Sequence, residues 1–193
     1  MSKTIPRSKV TSAIIEALDE AERKYKLWTR GSTMRAAPES FVQTQVAEKL
    51  HGLGLILLLE ASVADIASFA RDGEVSAESD LAIGGRFDIV AYYHSRQPRF
   101  IIEIKKLNSK NSLNADCERI RRVMAMNKGI QNGLLVGYGT AVHEKTILNR
   151  IQGCAQSLAI SVVQTLAPQE VRSKKGLVRK LAGAVFRVDS GDA

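Results

Sequence analysis

Apolar residues recur at helical spacing in the first part of the chain. Ile14, Ile15, Leu18, Ala21 and Tyr25 stand among Glu and Lys, so 9–28 reads as an amphipathic helix. The basic, small-residue stretch RGSTMRAAP (30–38) breaks that pattern as a linker, and Pro38 is placed to open the next helix. Over 39–53 the residues Phe41, Val42, Val46, Leu50 and Leu53 share one side, with Gly52 and Gly54 marking the end. A strand is expected at 55–59. A short helix at 63–70 and a loop over ARDGEVSAESD follow. The runs RFDIVAYY (86–93) and RFIIEIKK (99–106) read as strands. Beyond them we expect a helix at 113–126, a strand at 132–139, a helix at 143–158 and a strand at 161–167.

This order predicts an α/β fold with a mixed central sheet, an αβββαβ core and helices on both faces. The expected divisions are an N-terminal amphipathic helix and basic linker (1–37), a core (38–170) and a basic C-terminal extension (171–193). The extension carries Arg172, Lys174, Lys175, Arg179 and Lys180 before a last apolar run, AGAVFRV.

Within the two central strands the pattern is broken by charge. Side chains alternate faces along a strand, so Ile102 and Ile104 point one way and Glu103 and Lys105 the other. A carboxylate and an ammonium in a β-branched strand are costly unless paired or chemically employed. The intervening HSRQPR suits a hairpin. A turn about Arg96 and Gln97 would set Asp88 opposite Lys105 and one diagonal step from Glu103. The expectation is a compact cluster of two acids and a lysine.

Composition changes this picture little. The 193 residues, 45% hydrophobic and 25% charged, suit one soluble domain. The 28 basic residues against 20 acidic ones give a net charge of +8, which favours a polyanionic partner. Cys117 and Cys154 form no CxxC and lie near no His, so neither a zinc knuckle nor a disulfide framework is indicated. The start MSKTIPRSKVTS has no apolar signal core and the longest apolar run is too short to span a bilayer, so no membrane is expected and the cytoplasm is the default location. No GxxxxGK[ST], HExxH or GxSxG occurs, and His51, His94 and His143 share no ligand or triad spacing.

Asp88 followed by Glu103-Ile104-Lys105 on consecutive strands, inside an αβββαβ pattern, resembles the PD-(D/E)xK nuclease superfamily with its restriction-endonuclease-like fold. The resemblance covers about residues 38–140, although Phe87 stands where that family usually has Pro. It implies that Asp88 and Glu103 bind Mg²⁺ (with Mn²⁺ as a substitute), that the Ile104 carbonyl completes the metal shell, and that Lys105 positions or activates the attacking water. PESF at the helix start resembles that of several superfamily members. It makes Glu39 a fourth catalytic candidate, ahead of Glu48. Two carboxylates and a lysine suit phosphodiester hydrolysis: a hard cation prefers carboxylate oxygens, neutralises phosphate charge and acidifies water, while the lysine acts without occupying the metal.

The expected activity is therefore metal-dependent hydrolysis of nucleic acid, DNA rather than RNA. A homodimer is one way for so small a nuclease to cut both strands. Arg86, Lys106, Arg121 and Arg122 are candidate phosphate contacts. Asp116 and Arg119, one helical turn apart, are either a helix ion pair or supports of the site. Lys110, Lys128 and the 172–180 cluster are expected to be solvated surface, and Trp28 to sit on the apolar face of its helix. Two other readings stay open: a nuclease-fold nucleic-acid-binding protein that no longer cuts, and an unrelated α/β domain in which the cluster is an ion-pair network.

Overall fold

Helices form where the apolar period is three to four residues, and strands where β-branched runs are bounded by Gly or Pro. The computed structural model describes residues 4–69, 84–107, 110–127, 129–172 and 176–190. In chain order the elements are α1 (Arg7–Trp28), a 3₁₀ turn (Met34–Ala36), α2 (Glu39–Gly52), β1 (Ile56–Ala61), α3 (Val63–Phe69), β2 (Phe87–Tyr92), β3 (Pro98–Lys106), α4 (Lys110–Met126), β4 (Asn132–Ala141), α5 (Glu144–Leu158), β5 (Ser161–Arg172) and β6 (Val178–Val188). Pro38 precedes α2 in extended conformation, which suits a residue with no N–H to donate, and Glu39 meets the positive end of the helix. Gly54 ends that helix at φ +89°, and its N–H donates to the His51 carbonyl. The loop expected over ARDGEVSAESD, together with Lys128, Lys174 and Lys175, lies outside the described residues.

The six strands make one mixed sheet in the order β1-β2-β3-β4-β6-β5. β1–β2 and β2–β3 are antiparallel, β3–β4 is parallel with α4 as the crossover, and β6 runs antiparallel to both β4 and β5. A parallel pair needs both faces covered, and the alternation along β3 provides for it. Ile102 and Ile104 join Ile14, Leu18, Val46, Leu50 and Val136 in a core under α1 and α2. Ile101 joins Ile120, Val123, Leu135, Ile147 and Phe186 under α4 and α5. The fold is thus α/β, with a six-stranded mixed sheet between two helical layers. No helix among the described residues is long and apolar enough to cross a membrane.

Two sequence expectations are corrected here. The segment set apart as a basic C-terminal extension (171–193) holds all of β6, whose Leu181 to Phe186 are buried between β4 and β5; β6 joins β5 to the rest of the sheet. Likewise α1 is not a separate unit, because Val10, Ile14 and Leu18 are fully buried in the core shared with α2. The hairpin register also differs. Its loop is 93–97, closed by Tyr93 N–H to the Gln97 carbonyl, with Arg96 at φ +62° and a bulge between Ala91 and Tyr92. Ile89 pairs with Ile102 and Val90 with Ile101, and continuing that register sets Asp88 opposite Glu103 instead of Lys105. A shift of two residues preserves the face, so both acids still point to the α4 side.

Candidate active site

Asp88 and Glu103 face one another across β2 and β3, and Lys105 lies two residues further on the same face of β3. The backbone N–H of Ile104 donates to Asp88 Oδ2 at 2.6 Å, which fixes that carboxyl group. Glu103 is 0% exposed. Arg119 of α4 donates through Nη2 to Glu103 Oε1 and, at 3.0 Å, to Asp116 Oδ1. The Arg119 guanidinium lies 5.0 Å from the Phe87 ring centroid and passes over Gly85. Gly85 has φ +96°, and a Cβ there would come within 2.7 Å of Arg119 Nη1, so this position needs glycine twice over.

Lys105 sits among acids without touching any of them closely. Its Nζ is 3.9 Å from Glu103 Oε2, 3.9 Å from Glu39 Oε2 and 4.0 Å from Asp116 Oδ2. Those separations are too long for hydrogen bonds. Glu103 Oε2 and Asp116 Oδ2 are buried and accept none. Glu39 is drawn in by the Lys106 N–H, which donates to its Oε1 at 3.2 Å. Glu48 is elsewhere, paired with Lys24. The structure thus brings Asp88, Glu103, Lys105, Glu39 and Asp116 to one place.

The electrostatics follow from burial. Desolvation, then the neighbouring Asp88 charge, pushes the Glu103 carboxyl up to about 8 against the pull of Arg119. Burial also raises Asp88, opposed by the Ile104 N–H and Lys105, and raises Asp116, opposed by Lys105 and Arg119. Burial alone would lower Lys105; the charges of Asp88, Asp116, Glu103 and Glu39 together outweigh it and hold its pKa above the usual value. Carboxyls pushed up beside a lysine pushed up form a coupled set of charges, a pattern shared by functional sites and buried ion-pair networks.

The donor set also bears on a metal. Among the described residues no group of three or more His, Cys, Asp or Glu side chains is gathered to hold an ion. Mg²⁺ does not need one, because it binds through one or two carboxylates and keeps several waters. Asp88 and Glu103 are two such carboxylates, brought opposite one another across β2 and β3.

The expected phosphate contacts fare differently. Arg86 is exposed beside the site and donates to the Glu60 carbonyl at 2.8 Å. Arg122 is exposed on α4. Lys106 is used internally, its Nζ donating to the Ala37 carbonyl at 2.7 Å. Arg121 faces away, bonding Glu118 and the Leu158 carbonyl at the end of α5. These two bonds leave Lys106 and Arg121 as structural ties between elements. Trp28 is 65% exposed and meets the Phe41 ring edge-on at 5.4 Å, so it is not buried on the apolar face of α1.

Two neighbours of the site were not anticipated. Gln43, one turn after Glu39 on α2, donates through Nε2 to the Asp88 carbonyl at 2.6 Å and to Glu60 Oε1 at 2.9 Å. Glu60, at the end of β1, holds φ +51°, a strained conformation for a residue with a side chain. The only sequence signal was the four-residue spacing of Glu39 and Gln43, which puts both on one helical face. Comparison with protein-family models, with curated proteins and with solved structures finds no match for this chain.

Proposed function

We propose that this chain is a metal-dependent nuclease with a restriction-endonuclease-like core, hydrolysing phosphodiester bonds in DNA. The observation that carries the reading is the shared face of Asp88, Glu103 and Lys105, with buried carboxylate oxygens left unpartnered around the lysine. Supporting it are the run α2-β1-α3-β2-β3-α4-β4, whose order and pairing fit an αβββαβ core with a short helix inserted after β1, and the net charge of +8.

In this reading Asp88 and Glu103 hold the ion, with the Ile104 carbonyl beside them. A divalent ion such as Mg²⁺ (or Mn²⁺) supplies charge neutralisation at the phosphate and a more acidic water. Asp88 is held in place by the Ile104 N–H and Glu103 by Arg119. Lys105 orients the water and stabilises the charge that develops on the phosphate oxygens, and Glu39 and Asp116 hold the ammonium over the site. Arg122, and the part of the Arg86 guanidinium not bonded to the Glu60 carbonyl, are exposed to meet neighbouring phosphates.

The test is incubation of the purified protein with single- and double-stranded DNA and RNA, with and without Mg²⁺ or Mn²⁺, beside Lys105→Ala and Asp88→Ala. We expect cleavage only with metal, reduced at least about 100-fold in both variants. A second reading is favoured by one contact, the Arg119 guanidinium on Glu103, which also suits a nuclease-fold protein that binds nucleic acid without cutting. Binding without cleavage under either ion would establish that reading instead. Neither activity would overturn both and leave an α/β domain with a buried ion-pair network.

A further inference from the structure

One cavity among the described residues is lined by none of these carboxylates. It has a volume of about 760 Å³ and lies at the end of β4, where Thr140 and Ala141 approach the sheet rim. Leu107, the residue after β3, forms part of its wall, together with Leu113 and Cys154. Three arginines line it from three different elements: Arg35 from the 3₁₀ turn, Arg150 from α5 and Arg179 from β6. Among the described residues no acid lines it.

Three arginines lining one space make it locally positive, which favours an anion there. Among the described residues neither Arg35 nor Arg179 is ion-paired to a carboxylate, and Arg150 makes one bond, at 3.3 Å, from Nη1 to the Leu107 carbonyl. That leaves most of their planar N–H forks available, and such forks match phosphate oxygens. An independent observation comes from Thr140. It is 3% exposed, lines the cavity, and its buried Oγ1 has no hydrogen-bond partner. A hydroxyl donates well to an anion held by arginines.

We propose that this cavity is a phosphate-binding site, distinct from the carboxylate cluster, formed by Arg35, Arg150, Arg179 and the Thr140 hydroxyl. Glu103, Lys105 and Leu107 alternate onto one face of the same chain segment. At about 3.3 Å per residue the cavity wall therefore begins about 13 Å from Glu103. That is too far for the phosphate being cleaved but within reach of another phosphate of the same strand. If the nuclease reading holds, the ligand is a phosphate of the same strand a few nucleotides from the scissile bond. A free phosphate compound presents the same chemistry.

The test uses the full chain without divalent metal, so it does not depend on cleavage. Inorganic phosphate binding is followed by titration calorimetry, and that of a short fluorescein-labelled DNA single strand by anisotropy. Wild type is compared with Arg35→Gln/Arg179→Gln, Thr140→Val, Asp88→Ala and the control Lys26→Gln, each checked for folding by circular dichroism. We expect phosphate affinity to fall at least tenfold in the double arginine variant and several-fold in Thr140→Val, with Asp88→Ala and Lys26→Gln unchanged. A parallel fall in DNA affinity, with DNA displaced by phosphate, assigns the site to a strand; a fall for phosphate alone assigns it to a free phosphate compound. Phosphate binding that is absent, that survives in the folded double arginine variant, or that falls equally in Lys26→Gln overturns the proposal. Failure of cleavage with phosphate binding intact overturns only the nuclease reading.

Discussion

Replacing Glu103 by Gln removes a buried charge that the fold pays for in the absence of a cation. Folding raises the Glu103 carboxyl from 4.5 to about 8. Between those values the folded protein binds more protons than the unfolded chain, so this group's contribution to stability is greatest below pH 4.5 and declines until pH passes about 8. At about 1.36 kcal/mol per pH unit the ceiling on that decline is about 5 kcal/mol. Asp88 and Asp116 are raised as well and add to the fall with the same sign. Lys105 is raised above its usual range and holds its charge throughout this window.

Glu103→Gln keeps the side-chain volume and an acceptor for Arg119 but loses a charge-assisted hydrogen bond, a loss of about 1.5–3 kcal/mol that offsets part of the gain. The measurement is urea unfolding with EDTA at pH 5.5 and pH 8.5 for wild type and variant. We expect stability of the variant relative to wild type to rise by about 3 kcal/mol from the lower to the higher pH. In wild type, adding Mg²⁺ at pH 8.5 is expected to recover stability, because an ion that binds only the folded state shifts the equilibrium by mass action. The variant should respond less. Parallel pH profiles, or a variant less stable than wild type by the same amount at every pH, would refute the reasoning and make Glu103 a structural partner of Arg119.

Arg119→Ala should destabilise the protein by about 2 kcal/mol in urea unfolding at pH 7, since it leaves the Glu103 and Asp116 carboxyls without their guanidinium; protonation of Glu103 keeps the loss below that of a rigidly charged pair. Tyr138→Phe should be neutral or stabilising by up to about 1 kcal/mol, because the Tyr138 hydroxyl is buried with no partner. A clear loss in thermal unfolding would show that the hydroxyl is satisfied. Gly133→Ala should cost about 1–3 kcal/mol, since its Cβ would run into Ile120 Cγ2 and come within 2.7 Å of Met124 Sδ and 3.2 Å of the Val188 carbonyl.

How far the fold could be read from the chain depended on the range of the forces involved. The alternation in IIEIK is local, and it placed Glu103 and Lys105 on one face before any pairing was known. Register is not local. It came from the positive φ of Arg96 and a bulge at Ala91 and Tyr92, and it moved Asp88 from opposite Lys105 to opposite Glu103. The run AGAVFRV was visible as apolar, yet its place between β4 and β5 depends on pairing with residues up to about 55 positions earlier, such as Gly133 with Val188. Gln43 carries only its four-residue spacing from Glu39 and Glu60 no periodic signal, and the packing of α2 against β1 and β2 gives both a role. Arg121 was misjudged because its partners, Glu118 and the Leu158 carbonyl, tie α4 to α5.

The spacing around Lys105 weighs between a site and a network. Lysine has a long, flexible stem, so an ammonium retained for stability alone would settle into hydrogen-bond contact with one of the acids around it. Here it stands 3.9 to 4.0 Å from three carboxylate oxygens, two of them buried and unpartnered. Closing any one of those gaps would strengthen a pair, yet all remain open while Asp88, Glu103 and Glu39 are each anchored from behind by Ile104 N–H, Arg119 and Lys106 N–H. Anchored in this way, the acids keep fixed positions around the Lys105 ammonium, and under the nuclease reading proposed above they would offer a cation preset ligands.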